Sequence, residues 1–142
     1  MSLFLKSSGV CILKTTGSGF AGYVKDEYTT LAETSERILA TAMEASWRFA
    51  AKPKSYSESN RRSLDAMLKV FATHYSPSVQ ASLYQMAGAA LAVVPEIDRV
   101  RLCMPNKHCL LLNLTAFGLE NANEIFVPTD EPHGQIEAIV SR

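Results

Sequence analysis

The chain is 142 residues long, with 14 Lys plus Arg against 14 Asp plus Glu and a formal net charge of zero. That length suits one domain, residues 1–142, with its own core. The balanced charge excludes a broad electrostatic footprint for nucleic acid or an anionic membrane. No apolar run approaches the length of a membrane span. The apolar part of Met-Ser-Leu-Phe-Leu-Lys at the N-terminus is too short for a signal peptide. Cys11, Cys103 and Cys109 have no paired spacing, which predicts buried thiols in a reducing compartment rather than a disulfide framework. The cysteines lack metal-site spacing and His74, His108 and His133 are scattered, so no metal site is expected.

Gly9 to Lys14 carries Val10, Cys11, Ile12 and Leu13 and reads as a buried strand. Thr15-Thr16-Gly17-Ser18-Gly19 follows as a turn. Its glycines permit positive φ and close backbone approach, but their spacing is not that of a nucleotide loop. Phe20 after this turn is either core or a stacking platform. Thr30 followed by Glu33 matches a capping box and predicts a short helix near Leu31. From Leu39 the period becomes two, with Leu39, Met43, Ala45, Trp47 and Phe49 on one face of a strand that ends at Lys52-Pro53-Lys54. Arg37, just before it, reads in isolation as a surface charge.

Leu64, Met67, Leu68, Phe71, Ala72 and Tyr75 form one apolar stripe of a helix. Ser76-Pro77 predicts the start of a second helix, serine at the N-cap and proline at the first helical position. That helix carries Val79, Leu83, Met86, Ala87, Ala90 and Leu91 and stops before Pro95. Gln80 lies in its first turn, where unpaired backbone N–H groups favour anionic ligands, although alone it reads as an ordinary exposed glutamine. Val100, Leu102 and Met104 alternate with Arg99, Arg101 and Cys103 as a half-buried strand, interrupted at Pro105-Asn106-Lys107-His108. Proline there predicts a bulge or a strand edge. A bulge would re-aim the Asn106 amide and the His108 imidazole, which suit holding a small polar molecule or moving a proton. The plain alternative is a kink with solvated side chains.

Phe117 to Asn123 reads as a loop, Glu124 to Val127 as a short strand and Asp130 to Gly134 as a turn. Ile136, Ala138 and Val140 form the last strand segment. The order strand, strand, helix, helix, strand, strand predicts an α+β fold: a four-stranded antiparallel sheet with both helices on one face.

Several motifs stand together in a recognisable order. Leu13-Lys14-Thr15-Thr16-Gly17-Ser18-Gly19-Phe20, Asp26-Glu27-Tyr28-Thr29-Thr30-Leu31, Arg37-Ile38-Leu39-Ala40-Thr41, Ser78-Val79-Gln80 and Pro105-Asn106-Lys107-His108 resemble the urate oxidase (uricase) family. So do Gly118-Leu119-Glu120-Asn121 and Asn123-Glu124-Ile125-Phe126. The resemblance covers nearly the whole chain but only the C-terminal half of a uricase, which has two tandem domains of the tunnelling fold (T-fold), each ββααββ.

That resemblance implies cofactor-free oxidation of urate by O2 to 5-hydroxyisourate and hydrogen peroxide. It implies that Phe20 stacks on the purine, that Arg37 and Gln80 grip its two edges, that Val79 adds backbone contact and that Leu31 lines the pocket. Asn106 would hold O2 or water over the ring, and His108 would belong to the proton relay. These types suit the substrate. A planar guanidinium can make two parallel hydrogen bonds to an anionic lactam, and glutamine offers both donor and acceptor. The relay's lysine and threonine partners belong, in the family, to the N-terminal domain of a neighbouring subunit, so a complementary N-terminal domain or chain is expected as a partner. The expected assembly is an oligomer in which the sheets line a tunnel. The rival reading is a purine-binding or assembly module without turnover. The chain ends Val140-Ser141-Arg142 rather than in the peroxisomal Ser-Lys-Leu, so a cytoplasmic location is the expectation.

Overall fold

The computed structural model describes the backbone of residues 3–30 and 32–142 and the side chains from residue 9 on, again without Leu31. Four strands form one antiparallel sheet in the order β1 (Leu3–Lys14), β2 (Leu39–Phe49), β3 (Ile97–Leu111), β4 (Phe126–Ser141). The helices α1 (Tyr56–Thr73) and α2 (Val79–Val93) fall between β2 and β3 in the chain. This is the ββααββ T-fold that the sequence predicts, with β1 and β4 as open edges.

Period two decides which way the sheet faces. Along β2 every odd residue from Leu39 to Phe49 is buried and every even one is half-exposed. In β3 the buried row is Ile97, Val100, Leu102 and Met104, all at 0% exposure. These rows meet Met67 and Phe71 of α1, and Val79, Leu83, Met86, Ala87 and Ala90 of α2, in one cluster. Truncating a side chain such as Leu102 to alanine would cost about 2–5 kcal/mol through lost transfer energy and the cavity left behind. Trp47 adds a polar anchor: its Nε1–H donates to Asn60 Oδ1 of α1 at 3.0 Å.

The helices depart from the sequence reading at their ends. The buried row of α1 is Ser59, Ser63, Met67 and Phe71, while Leu64 and Leu68 are half-buried and Ala72 and Tyr75 exposed. The helix stops at Thr73 because His74 turns extended, so Tyr75 leaves the stripe. The N-cap of α2 is Ser78, not Ser76: Ser78 is extended and its hydroxyl accepts from the Ala81 N–H at 3.1 Å. Ser76 is instead drawn into a backbone seam described below. The capping-box helix near Leu31 does not form in residues 32–38. Glu33 takes other partners, accepting from the Gly22 N–H at 3.0 Å and pairing with Lys25 at 2.9 Å. Leu31 itself lies outside the described residues.

The C-terminal strands also differ. β3 runs straight through Pro105, keeping one register against β2 from Ala40↔Lys107 to Glu44↔Cys103. The irregularity sits on the partner strand. Asn106 pairs with Gly134 and His108 with Thr129, so Asp130 to His133 bulge out of β4 opposite Lys107 alone. The segment read as a turn is this bulge, and the two short segments read around it are one strand. Of the three thiols, Cys103 is buried, Cys109 half-buried and Cys11 exposed, so the expectation of buried thiols holds for Cys103 only.

Candidate functional site

The core-facing row of β3 continues beyond the helices. Met104 is fully buried, Asn106 and His108 are half-buried, and Leu110 is 56% exposed. Side chains two apart share a face, so where the helical cover ends the same stripe changes from core to cavity lining. A cavity of about 230 Å³ opens there, lined by Asn106, His108, Cys109 and Leu110 of β3 and by Phe20, Ala32, Thr34, Arg37 and Ile38.

The wall opposite β3 is built from the turn after β1. Phe20 and Thr34 exchange backbone hydrogen bonds, N–H to O, at 2.7 and 3.0 Å. The Arg37 N–H donates to Ser18 O at 2.7 Å, which brings residues 18–20 alongside 34–37. On the other side of the turn, Gly19 N–H donates to Ser76 O at 2.8 Å and Ser76 N–H to Gly17 O at 2.8 Å. Glycine fits closely at 19: a Cβ there would lie 2.3 Å from the hydroxyl of the exposed Tyr75 side chain and 3.0 Å from Thr34 O, so both neighbours would have to shift. The turn is thus clamped between the Arg37 segment and the residues that lead into α2.

Arg37 dominates the cavity chemically. Its Nε donates to Gly19 O at 3.2 Å and its Nη1 to Asn106 Oδ1 at 3.2 Å, while Nη2 is buried and has no partner among the described residues. Burial lowers its pKa from the ordinary value. A desolvated cation bonded only to neutral oxygens, with a free donor, is completed by an anionic acceptor. Phe20 lies beside it, its ring centroid 5.7 Å from the guanidinium carbon. Tyr23 stacks on Phe20 at 4.6 Å with 16° between the planes, covering part of that ring. Asn106 faces the same space with its amide, and His108 follows two residues on.

The structure therefore brings together Phe20, Arg37, Asn106 and His108. Val79 and Gln80 stand at the start of α2, Val79 buried in the core and Gln80 exposed, and neither lines this cavity. They adjoin it through Ser76 and the Gly17–Gly19 turn. Ala32, Thr34, Ile38, Cys109 and Leu110 also line the cavity, beyond the residues the sequence points to. Leu110 could have been found by parity with Asn106 and His108. Thr34 could not, because only its backbone pairing with Phe20 puts it there. Among the described residues no group of three or more His, Cys, Asp or Glu could hold a metal ion, and no helix is long and apolar enough to cross a membrane.

A family model described as uricase matches residues 7–137. The chain belongs to the uricase family. It is 41% identical over 134 residues to the uricase of Arthrobacter globiformis, a match covering 94% of this chain and 44% of that protein. To the uricase of Dictyostelium discoideum it is 37% identical over 131 residues, covering 92% and 46%. The crystal structure of uricase from Arthrobacter globiformis superposes with a TM-score of 0.96 at 39% identity, over 99% of this chain and 49% of that one. A uricase from Bacillus fastidious, 21% identical with a TM-score of 0.81, shares the fold. This uricase-family chain spans about half the length of the curated relatives it matches.

Proposed function

We propose that this chain is the C-terminal T-fold domain of a urate oxidase and supplies the purine-gripping part of its active site. The observation that carries the reading is the buried, partnerless Arg37 Nη2 in a cavity shared with Phe20, Asn106 and His108. Arginine has five N–H donors. Gly19 O and Asn106 Oδ1 take two, so the Nη1 and Nη2 hydrogens left over form a fork. That fork matches a carbonyl and an adjacent ring nitrogen of urate, a planar anion.

In this reading Phe20 fixes the ring plane, Arg37 one edge and Gln80, with Val79, the other, with Leu31 as lining. Asn106 is tied to Arg37 and holds O2 or water above the ring; His108 moves protons. Urate gives up two electrons to O2, and one water enters. Urate, O2 and H2O then balance 5-hydroxyisourate and H2O2. Ionised urate supplies the electrons itself, so the protein's work is to orient, desolvate and handle protons.

The domain does this as part of an assembly. β1 and β4 leave open edges, which invite pairing, and the chain has about half the length of its relatives. A complementary N-terminal domain, in the same or another chain, would supply the histidine's relay partners and the second wall, within an oligomer whose sheets line a tunnel. The test is urate consumption with stoichiometric hydrogen peroxide release, for this chain alone and after adding the N-terminal half of a uricase. Activity is expected only in the mixture. A mixture that co-assembles and leaves urate untouched would overturn the reading in favour of binding without turnover.

A further inference from the structure

A chain of side chains, half-buried at His74 and buried at Ser82 and Ser76, runs from the end of α1 to the seam beneath the cavity wall. His74 Nδ1 lies 2.7 Å from Val70 O. A carbonyl only accepts, so Nδ1 carries the hydrogen and, in the neutral ring, Nε2 is an acceptor. Ser82 Oγ of α2 lies 3.2 Å from that Nε2, and Ser76 Oγ lies 2.6 Å from Ser82 Oγ. Both serines are 0% exposed. In one order that these distances allow, Ser76 donates to Ser82 and Ser82 to His74; Ser78 O, 3.1 Å from Ser76 Oγ and 3.2 Å from Ser82 Oγ, is a second acceptor for either hydroxyl. Ser76 is also the residue whose backbone holds the turn, through Gly19 N–H to Ser76 O and Ser76 N–H to Gly17 O. Gly19 O in turn accepts from Arg37 Nε. Two residues beyond Ser76, Ser78 caps α2 and fixes the start of the helix that presents Gln80.

We infer that His74, Ser82 and Ser76 are positioning residues that set the distance between the two sides of the substrate grip: Phe20 and Arg37 on one side, the start of α2 with Gln80 on the other. The inference rests on the reading of the cavity as a urate site. Both sides meet at Ser76, beside the neighbouring bond from the Tyr75 hydroxyl to Ser35 O at 3.1 Å, and the Ser76 side chain is held by Ser82 Oγ and Ser78 O rather than by the sheet. Buried hydroxyls are costly to leave without partners, so the chain fixes Ser76 in one place. Neither serine acts as a nucleophile, since both are sealed from the cavity and from solvent. Lys14 Nζ, which donates to His74 O at 2.6 Å, ties the same corner back to β1.

The test separates this linkage from the substrate. Ser82→Ala removes the hydroxyl that bridges His74 and Ser76 while fitting the same space, leaving Ser76 only Ser78 O, and Ser76→Ala is the second variant. In amide hydrogen exchange on the chain without ligand, each should speed exchange at Gly19 and Arg37 by roughly tenfold and leave Val100 and Leu102 in β3 unchanged. In the co-assembled enzyme, each should raise the KM for urate about tenfold with kcat within about twofold, the mark of a weakened grip. His74→Gln keeps an acceptor within reach of Ser82 and should stay near wild type, whereas His74→Asn withdraws it and should behave like Ser82→Ala. Unchanged exchange at Gly19, or equal behaviour of the two His74 variants, would overturn the inference. A wild-type assembly inert towards urate would count against the functional reading instead, because exchange at Gly19 is measured without substrate.

Discussion

Arg37 Nη1 and Asn106 Oδ1 are 3.2 Å apart although 69 residues separate them in the chain. The bond joins the segment after the Gly17–Gly19 turn to the middle of β3, and it decides how the guanidinium faces the cavity. With Nε held by Gly19 O at the same distance, the planar group cannot rotate without breaking two hydrogen bonds. The fork is set before any ligand arrives, which lowers the ordering cost of binding.

Arg37→Lys keeps the charge and loses the fork. An ammonium cannot bond Gly19 O and Asn106 Oδ1 and still present two parallel donors. In the co-assembled protein, affinity for urate or a xanthine analogue should fall by roughly 1.5–3 kcal/mol, the range for a hydrogen bond to a charged group. Titration calorimetry reads this directly, and unchanged binding would remove Arg37 from the site.

Particular residues show how much of this was legible in the sequence. The alternation at Leu39–Phe49 and at Val100–Met104 reports burial on one face of a sheet, and the structure keeps both rows. Phe20, Arg37, Asn106 and His108 stand in the motifs and line one cavity, whereas Val79 and Gln80 of the same set lie outside it. What was illegible is where local signals lose to tertiary partners. Thr30 and Glu33 have capping-box spacing, but Glu33 finds Gly22 and Lys25. Ser76-Pro77 looks like a helix start, but pairing of Ser76 with Gly17 and Gly19 pulls it out of the helix. Pro105 predicts a bulge or a strand edge, whereas β3 lies inside the sheet and the extra residues sit opposite, in β4. Side-chain periodicity carries no information about which strand of a pair absorbs a mismatch.

Gly19→Ala should destabilise the fold. The new methyl would meet the Tyr75 hydroxyl at 2.3 Å and Thr34 O at 3.0 Å. Overpacking of this kind costs about 1–3 kcal/mol. Tyr75→Phe removes the nearer obstacle, at the cost of the hydrogen bond from Tyr75 to Ser35 O at 3.1 Å. In urea titrations the double variant should therefore recover part of the loss, and a double-mutant cycle should show coupling between the two positions. Purely additive effects would mean that the turn shifts as a body instead.

The Arg48–Asp98 pair should give a pH-dependent contribution to stability. Arg48 Nε donates to Asp98 Oδ1 at 2.9 Å, and Nη2 donates to Asp98 Oδ2. The hydrogen bonds from Arg48 hold the Asp98 pKa below its ordinary 3.8. A carboxylate with a depressed native pKa stabilises the fold above its unfolded pKa and loses that contribution as pH falls through the native value. The urea midpoint of wild type should therefore exceed that of Asp98→Asn at neutral pH, and the gap should close as pH drops below 3.8. A gap that stays constant into acid would show that the pair contributes through packing and not through charge.

His108 should matter to turnover and little to binding. Its side chain lies on the same face of β3 as Met104 and Asn106, beyond the point where the helices cover the sheet, and it lines the cavity without bonding Arg37. Its ring therefore lines the cavity apart from the Arg37 hydrogen bonds. Imidazole exchanges protons near neutral pH and can serve as acid and base in successive steps. Removing a positioned acid or base typically costs about 10²–10⁴ in rate, whereas the fork of Arg37 is untouched. In the co-assembled protein, His108→Ala should lower kcat for urate by that factor while the affinity for a xanthine analogue stays within about twofold. Measuring both quantities on one preparation separates the roles. If binding falls as steeply as kcat, His108 belongs to the grip; if kcat is unchanged, proton transfer runs through another group in the assembly.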